Sequence, residues 1–482
     1  MTSTLKTLTA TPVALALIAL LAIKVFLLVA WGPIFTQDSF GYRDIARWIL
    51  ASTAWLHDAG IKSSAIPPAF RVIGYPTAIA AAMRFTGMAW PWLIVVLQFA
   101  LSLVASGMIY RLAIELGLRS GWALFSMVAA ATSLQLTLDQ CILSDSFHAS
   151  LVIIAVCLLT RGVVAGRPLA LSGAALAGIL LMLAFLMREA LPFLILSFLP
   201  LIGARFLLTE RSKRISTLAG IILFLLPLLA SVEAYKQWNQ YRTGERFVTT
   251  TWQLTMSFAL TKAAAFDARV FDGTTPLDVA ARRTMKHYHY GEVLELNKLL
   301  FREGYLAPDI ARMAYSHYLA TWQNQPLAML KVLRSHVDER MVKFAFQPIA
   351  ALCRTFQWAS GTHACPEFRH VLRAARHGFS GRGMTVPLFF VFQGAERVVS
   401  IVLFSCFLIG VPWLFLAMIS RRSIDPQITI PAAFWTMYIG WFLMYAIVHF
   451  EGRHLMPMIP FSIVGGCLVI SHARQQPWRR LR

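Results

Sequence analysis

The stretch Pro12–Trp31 reads PVALALIALLAIKVFLLVAW and contains a single charged residue, Lys24. A helix of about 20 apolar residues is long enough to cross the hydrocarbon core of a bilayer, because each residue adds about 1.5 Å. The run is too long, and too weakly preceded by charge, for a cleaved signal peptide. We therefore interpret it as the first of several membrane spans.

Nine further apolar runs recur along the chain. Hydrophobic residues make up 57% of the 482 residues, and charged residues only 14%. The runs are continuous and do not alternate apolar with polar residues, so they predict helices and not the strands of a barrel. We expect an all-α polytopic membrane protein with about ten transmembrane helices. The further runs cover residues 92–113, 121–138, 146–160, 169–187, 192–208, 215–232, 398–420, 428–449 and 455–471.

The short loops carry their basic residues on one side of the predicted membrane. With the N-terminus inside, fifteen Lys and Arg residues are cytoplasmic, and only Arg188 and Arg453 lie in short outer loops. This asymmetry follows the positive-inside rule. We expect a multi-pass protein of the bacterial inner membrane with both termini cytoplasmic. Much of the formal net charge of +21 then reflects topology, the remainder lies in two long outer segments, and the charge gives no reason to expect a nucleic-acid partner.

Two long outer segments divide the chain. The first, 32–91, predicts interfacial helices around residues 42–50 and 74–83. The second holds 20 Lys and Arg against 11 Asp and Glu between residues 236 and 382, with apolar residues at helical spacing in places. Its basic surface could attract anionic lipid or an acidic glycan, or be solvated without a partner. The predicted units are an N-terminal transmembrane module of about seven spans (1–235), a mainly helical periplasmic domain (236–385) and a C-terminal module of about three spans (386–482).

Cys353 and Cys365 both fall in the predicted periplasmic domain. An oxidising compartment favours a disulfide between them, which contributes about 3 kcal/mol in the chain-entropy account. A zinc site that adds His363 or His370 is the alternative, although the spacing fits no standard zinc finger.

Four short polar clusters lie at the outer ends of spans, at residues 37–42, 143–146, 187–189 and 449–454. Ionisable residues at this level of a membrane are costly and tend to mark function. A structural interpretation competes for each cluster alone. Asp38 and Asp145 could be N-caps of the helices that follow them, and Arg188 and Arg453 could extend to lipid phosphates.

The fragments DSFGY (38–42), RVIGYP (71–76), LSD (143–145) and EGRHLMP (451–457) follow one another along the chain. In this order and on one side, they resemble elements of the GT-C superfamily of membrane glycosyltransferases, which includes protein O-mannosyltransferases and the bacterial lipid A aminoarabinose transferase. Two positions depart from that pattern. Asp145 is followed by Ser146 where the mannosyltransferases have paired acids, and His454 replaces the more usual tyrosine.

The resemblance implies a glycosyltransferase that moves a sugar from a polyprenyl-phosphate donor to an acceptor hydroxyl on the periplasmic face, with inversion. Asp38 would be the general base, and Arg188 and Arg453 would bind the leaving phosphate. Asp145 would be the second catalytic carboxylate. Asp145 or Glu451 could instead orient the acceptor, hold an arginine or bind a divalent cation. Any metal site would use Asp38 and Asp145. The further residues implied in substrate binding are Tyr42, Arg71, Tyr75, Glu189, Glu451 and His454.

Two other functions remain open from the sequence. A transporter or lipid flippase usually places polar groups near the membrane midplane. Here the interiors of the predicted spans are nearly free of charged residues, with Lys24 as the clear exception. A noncatalytic envelope assembly subunit would use its basic outer domain to bind a partner. For a transferase, the acceptor could be a lipid-linked molecule, a glycan or a protein.

Overall fold

The computed structural model describes residues 2–189, 195–266, 268–288, 290–340, 347–360, 385–421 and 424–475. Within these ranges the chain is helical and has no β-strand, apart from an isolated bridge between Ile34 and Cys141. The all-α prediction is confirmed for these residues. The helices are α1 (Thr2–Trp31), α2 (Gln37–Ala51), α3 (Gly74–Thr86), α4 (Trp90–Glu115), α5 (Ser120–Ala131), α6 (Leu134–Leu138), α7 (Ser144–Thr160), α8 (Leu171–Met187), α9 (Leu199–Leu208), α10 (Arg214–Thr243), α11 (Trp252–Ala264), α12 (Pro276–Thr284), α13 (Tyr290–Arg302), α14 (Ala307–Asn324), α15 (Pro326–Arg340), α16 (Pro348–Ser360), α17 (Thr385–Ser405), α18 (Val411–Ser420), α19 (Pro426–Ala446) and α20 (Ile459–Gln475).

Five helical stretches of the described chain are long and apolar enough to cross a membrane. Five shorter apolar helices of 10–17 residues accompany them. This composition fits a membrane protein. The long stretches are Pro12–Trp31, Gly74–Glu115, Arg211–Thr243, Val391–Ser420 and Pro426–Ala446, and the shorter helices are Ser120–Ala131, Ser144–Thr160, Leu171–Met187, Ile195–Leu208 and Ile459–Ala473.

The stretch Gly74–Glu115 is a helical hairpin and not one straight rod. A continuous helix would separate Tyr75 from Gln98 by about 35 Å, yet the Tyr75 hydroxyl donates to Gln98 Oε1 at 3.2 Å. The chain reverses at Gly87, whose φ of +55° favours glycine. The helix α3 therefore folds back along the first turns of α4.

The helix α7 lies at the centre of the larger core. Nearly all of its side chains are buried, including the polar Ser146 and Ser150. Such a helix needs neighbours on every side, and α4 and α8 pack against it. The helix α8 in turn packs closely on α10, where a Cβ added at Gly178 would lie 2.6 Å from the carbonyl oxygen of Leu223. Small residues permit this close approach of two helices.

A buried ion pair anchors the turn between α6 and α7. Lys24 pairs with Asp139, and neither side chain is exposed. The other oxygen of Asp139 accepts hydrogen bonds from Ser146 Oγ at 2.5 Å and from Gln135. Gln140 donates to two carbonyl oxygens at the end of α1. Because buried charge is tolerated only when it is paired and hydrogen-bonded, this network holds the start of α7 in place.

The helices α11 to α15 form a second core around residues such as Leu260 and Ile310. The Tyr318 hydroxyl donates to the carbonyl oxygen of Ile447 at 2.7 Å, and Val448 packs against the same core. This contact brings the second core next to the end of α19. The helix α10 runs across residue 235, where the N-terminal module was predicted to end, and α17 begins at Thr385, beside the other predicted boundary.

Candidate active site

Four segments that are distant in sequence bring charged side chains together. Asp38 lies in the first turn of α2, and Arg71 directly follows a 3-10 turn. Arg188 directly follows Met187, the last residue of α8, and Arg453 lies in the 3-10 turn before α20. Residues of the first outer segment and of the turn before α20 therefore belong to one charged cluster.

Neither predicted catalytic acid is an N-cap. Thr36 is the N-cap residue of α2 and Leu143 that of α7, so Asp38 and Asp145 lie inside the first turns of these helices. A carboxylate there still interacts favourably with the helix dipole. The N-cap interpretation of these acids is therefore wrong, and both side chains contact arginines.

Two guanidinium groups hold the Asp38 carboxylate. Arg71 Nη2 donates to Oδ1 at 3.0 Å, and Arg453 Nη2 donates to Oδ2 at 2.9 Å. Burial alone raises the pKa of Asp38, but the positive charges of Arg71 and Arg453 outweigh burial and leave that pKa below its ordinary value. Asp38 is therefore a carboxylate with both oxygens in charge-assisted hydrogen bonds.

The Asp145 carboxylate lies behind these arginines. It forms an ion pair with Arg188, and its Oδ2 is 3.7 Å from Arg453 Nη1. Only 3% of the Asp145 side chain is exposed, against 29% of the Asp38 side chain. Asp145 thus fixes two guanidinium groups from inside the protein, while Asp38 meets them from the open side.

Glu451 and His454 complete the surroundings of Arg453. Glu451 Oε2 is 2.5 Å from Arg453 Nε, and the other Glu451 oxygen is 3.1 Å from His449 Nε2. The backbone N–H of Glu451 donates to His454 Nδ1 at 3.1 Å, so this ring nitrogen carries no proton. Burial, reinforced by the positive charge of Arg188, lowers the pKa of His454 well below its ordinary value. His454 is therefore a neutral ring beside the charged groups.

Glu189 is a second acidic neighbour of Arg71. Its Oε1 is 3.8 Å from Arg71 Nη1 and accepts a hydrogen bond from Thr251 Oγ1 at 3.0 Å. Tyr42 lies beneath Arg71, whose guanidinium carbon is 5.2 Å from the Tyr42 ring, and Tyr75 packs against Tyr42 with ring centroids 4.9 Å apart. Both tyrosines are buried. They pack under the charged cluster and do not line the cavity.

A cavity of about 750 Å³ opens on this cluster. Asp145 is absent from its lining, as are the two tyrosines. The rest of the wall is mainly apolar and comes from α11, α14 and the end of α19. Of the residues predicted from the sequence, the cavity is lined by Asp38, Arg71, Arg188, Glu189, Glu451, Arg453 and His454.

Part of the wall was not predicted from the sequence. Thr251, Trp252, Thr255 and Phe258 line the cavity from one side of α11. Trp252, Thr255 and Phe258 follow one another at intervals of three residues, which indicates one helical face. The pattern does not show what that face contacts, since the docking of α11 beside Arg71 depends on tertiary packing.

The described residues do not assemble a metal site of three or more His, Cys, Asp or Glu side chains. The oxygens of Asp38 and Asp145 contact guanidinium groups instead. Cys353 is disulfide-bonded, whereas Cys365 lies outside the described residues, so the pairing of these two cysteines stays a prediction. His363 and His370 lie outside them as well.

Comparison with known proteins gives no family assignment. No protein-family model matches the chain, and no curated protein matches it. The function has to be inferred from the site itself.

Proposed function

We propose that this protein is a membrane glycosyltransferase that moves a sugar from a polyprenyl-phosphate donor to an acceptor hydroxyl. One observation carries the proposal. Asp38, Arg71, Arg188 and Arg453 line one cavity whose remaining wall is mainly apolar. A carboxylate next to several guanidinium groups suits a reaction that removes one proton and releases one phosphate.

Each charged group has a role in that chemistry. Asp38 accepts the proton of the acceptor hydroxyl, whose oxygen attacks the anomeric carbon. The bond from this carbon to the phosphate oxygen breaks, and its electron pair stays on the polyprenyl phosphate. Arg71 and Arg453, with planar donor forks suited to phosphate oxygens, stabilise the developing charge. A single displacement of this kind inverts the anomeric centre.

The carboxylates of Asp145 and Glu451 hold the arginines in position. Asp145 contacts Arg188 and Arg453, and Glu451 contacts Arg453. Because Asp145 is almost fully buried, we assign it to positioning these guanidinium groups. Arg71 joins Arg453 as a phosphate ligand, and Arg188 stays paired with Asp145.

The apolar wall suits a lipid-linked substrate. Met444, Ile447 and Val448, at the end of the apolar helix α19, line the same cavity as the arginines. Leu294 and Leu319 extend the apolar wall. A prenyl chain near α19 would remain in contact with the membrane while its phosphate reaches the charged end of the cavity.

The proposal includes the topology expected from the sequence. We assign the ten expected spans to the five long apolar stretches and the five shorter apolar helices, and the basic short loops orient both termini toward the cytoplasm. The active site then faces the periplasm of a bacterial inner membrane. Lys24, the charged residue within the predicted spans, pairs with Asp139 and does not line the cavity, so a transporter or flippase would have to use the same cavity as the proposed enzyme.

The test uses the purified full-length protein with a panel of polyprenyl-phosphate sugars and candidate acceptors. We expect one donor to be consumed with release of polyprenyl phosphate, and Asp38→Asn to lower the rate by about 10²–10⁴-fold. Asp272→Asn is the matched control, because Asp272 is exposed and does not line the cavity. Passage of an intact donor across sealed vesicles, with no sugar transfer, would refute the enzyme and support a flippase.

A further inference from the structure

We propose that the Asp38 carboxylate occupies the position that the donor phosphate takes, and that the arriving phosphate displaces it and so releases the base. This inference rests on the proposed function and adds how the availability of Asp38 as a base is regulated. Asp38 is held away from catalysis until the donor is bound. It is then freed in the same step that fills the phosphate site.

The first support is the geometry of Arg71, Asp38 and Arg453, which together we call the clamp. Two oxygens of one anion bridge Arg71 and Arg453, at 3.0 and 2.9 Å. A phosphate group offers oxygens that can bridge the same two guanidinium groups, and arginine binds phosphate and carboxylate with the same donor fork. The clamp is therefore a phosphate site filled by a carboxylate of the protein itself.

Exposure identifies Asp38 as the anion that can leave. The side chains of Asp38, Arg71 and Arg453 are 29%, 23% and 21% exposed, and all three line the cavity. Asp145 is 3% exposed and contacts Arg453 from the buried side. When Asp38 leaves, Asp145 keeps Arg453 in place.

The helix α2 keeps a displaced Asp38 inside the cavity. Asp38, Gly41 and Ile45 lie at spacings of three and four residues and all line the cavity, so one face of α2 is turned toward the substrate. A rotation of the Asp38 side chain moves the carboxylate from the arginines to the open space beside them. There it can accept the proton of the acceptor hydroxyl.

The cycle closes without any further reagent. The acceptor proton moves to Asp38, the new bond from the acceptor oxygen to the anomeric carbon forms, and the bond from that carbon to the phosphate breaks. Arg71 and Arg453 hold the polyprenyl phosphate until it leaves. They then recapture Asp38, which gives its proton to water.

The decisive experiment measures binding of farnesyl phosphate to the full-length protein in detergent, with farnesol as the control that lacks phosphate. Removing a competing anion of the protein increases the fraction of sites able to bind. We expect Asp38→Asn to bind farnesyl phosphate at least about fivefold more tightly than the wild type. Asp272→Asn, a change outside the cavity that keeps the clamp, should bind with unchanged affinity.

A second measurement follows Asp38 directly through its reaction with a carbodiimide, which modifies protonated carboxyl groups. We expect farnesyl phosphate, but not farnesol, to increase modification of Asp38 several-fold while modification of Asp272, outside the cavity, stays constant. Equal or weaker binding by Asp38→Asn, with the wild type binding normally, would overturn the displacement and leave the proposed function standing. Absence of farnesyl phosphate binding to both proteins would overturn the two proposals together.

Discussion

Arg453 donates a hydrogen bond to Asp38 at 2.9 Å although 415 residues separate the two in the chain. The same guanidinium group approaches Asp145 at 3.7 Å and Glu451 at 2.5 Å. One side chain near the end of the sequence thus contacts three carboxylates. The site is complete only after the last helical hairpin has packed against the first loop.

Arg453→Lys should lower the transfer rate by about 10²–10³-fold, the range seen when one donor to a developing oxyanion is removed. Lysine keeps the charge but cannot reach Asp38 and Asp145 with separate donors of one planar group. Initial rates at saturating donor would measure the effect. Arg43→Lys, a change outside the cavity lining, should retain wild-type rates. Wild-type activity in Arg453→Lys would exclude the proposed role of Arg453.

Asp145→Asn should destabilise the fold, because it leaves the guanidinium group of Arg188 without its buried carboxylate partner. Loss of one member of a buried pair lowers the free energy of unfolding by about 3–5 kcal/mol. The thermal unfolding midpoint in detergent would report the change. Asp44→Asn, at a position with a 62% exposed side chain, should shift that midpoint little. Similar midpoints for the two variants would show that Asp145 is not needed to hold Arg188.

Lys24→Met and Asp139→Asn should each destabilise the protein more than the double variant does. Either single change leaves one uncompensated group in a pair that is completely buried, at a cost of about 3–5 kcal/mol. The double variant removes both charges. A double-mutant cycle of unfolding midpoints measures the coupling. Additive losses would indicate that the two residues do not stabilise the fold as a pair.

The contribution of Asp38 to stability should depend on pH in one direction. Burial raises the pKa of Asp38, but Arg71 and Arg453 outweigh it and leave the folded pKa below the ordinary value of 3.8. The contribution is therefore complete well above pH 3.8 and is lost as the pH falls through the folded pKa. The difference in unfolding midpoint between wild type and Asp38→Asn should narrow from pH 7 to pH 3. A constant difference would argue against the clamp.

Introduced cysteines would test the proposed topology in intact cells. Leu327 is 74% exposed in the predicted periplasmic region, and Gly121 is exposed at the predicted cytoplasmic end of the span over 121–138, with open space where a Cβ would lie. A membrane-impermeant maleimide should label Leu327→Cys and not Gly121→Cys. The reverse labelling pattern would invert the topology and the side of the active site.

The apolar pattern predicted where most long helices lie. The run at 428–449 corresponds to Pro426–Ala446, and the run at 146–160 to Ser144–Thr160. The predicted span over 121–138 is instead two helices, because the chain turns at Ser133, whose hydroxyl donates to the carbonyl oxygen of Ala130 at 2.7 Å. Hydropathy alone does not reveal such a break, since the flanking residues are equally apolar.

The charged cluster was predictable only in part. Asp38, Arg188 and Arg453 all lie at the outer ends of predicted spans. This common position relative to the membrane predicted that they lie near one another. The burial of Asp145, Tyr42 and Tyr75 could not be predicted in that way, because it depends on how the first turns of α2 and α7 face each other. The Tyr42 hydroxyl lies 2.9 Å from Ser144 Oγ, a contact between residues that only the folded chain makes neighbours.

The pairing of Lys24 with Asp139 also imposes an order on biosynthesis. In the proposed topology α1 enters the bilayer before its lysine has a partner, and a lone lysine near the centre of a helix costs about 2.5–3.5 kcal/mol on translocon-insertion scales. Asp139 lies 115 residues further along and is synthesised roughly 6–23 s later at ordinary translation rates. The first helix therefore bears this cost until Asp139 is made and accepts the charge of Lys24.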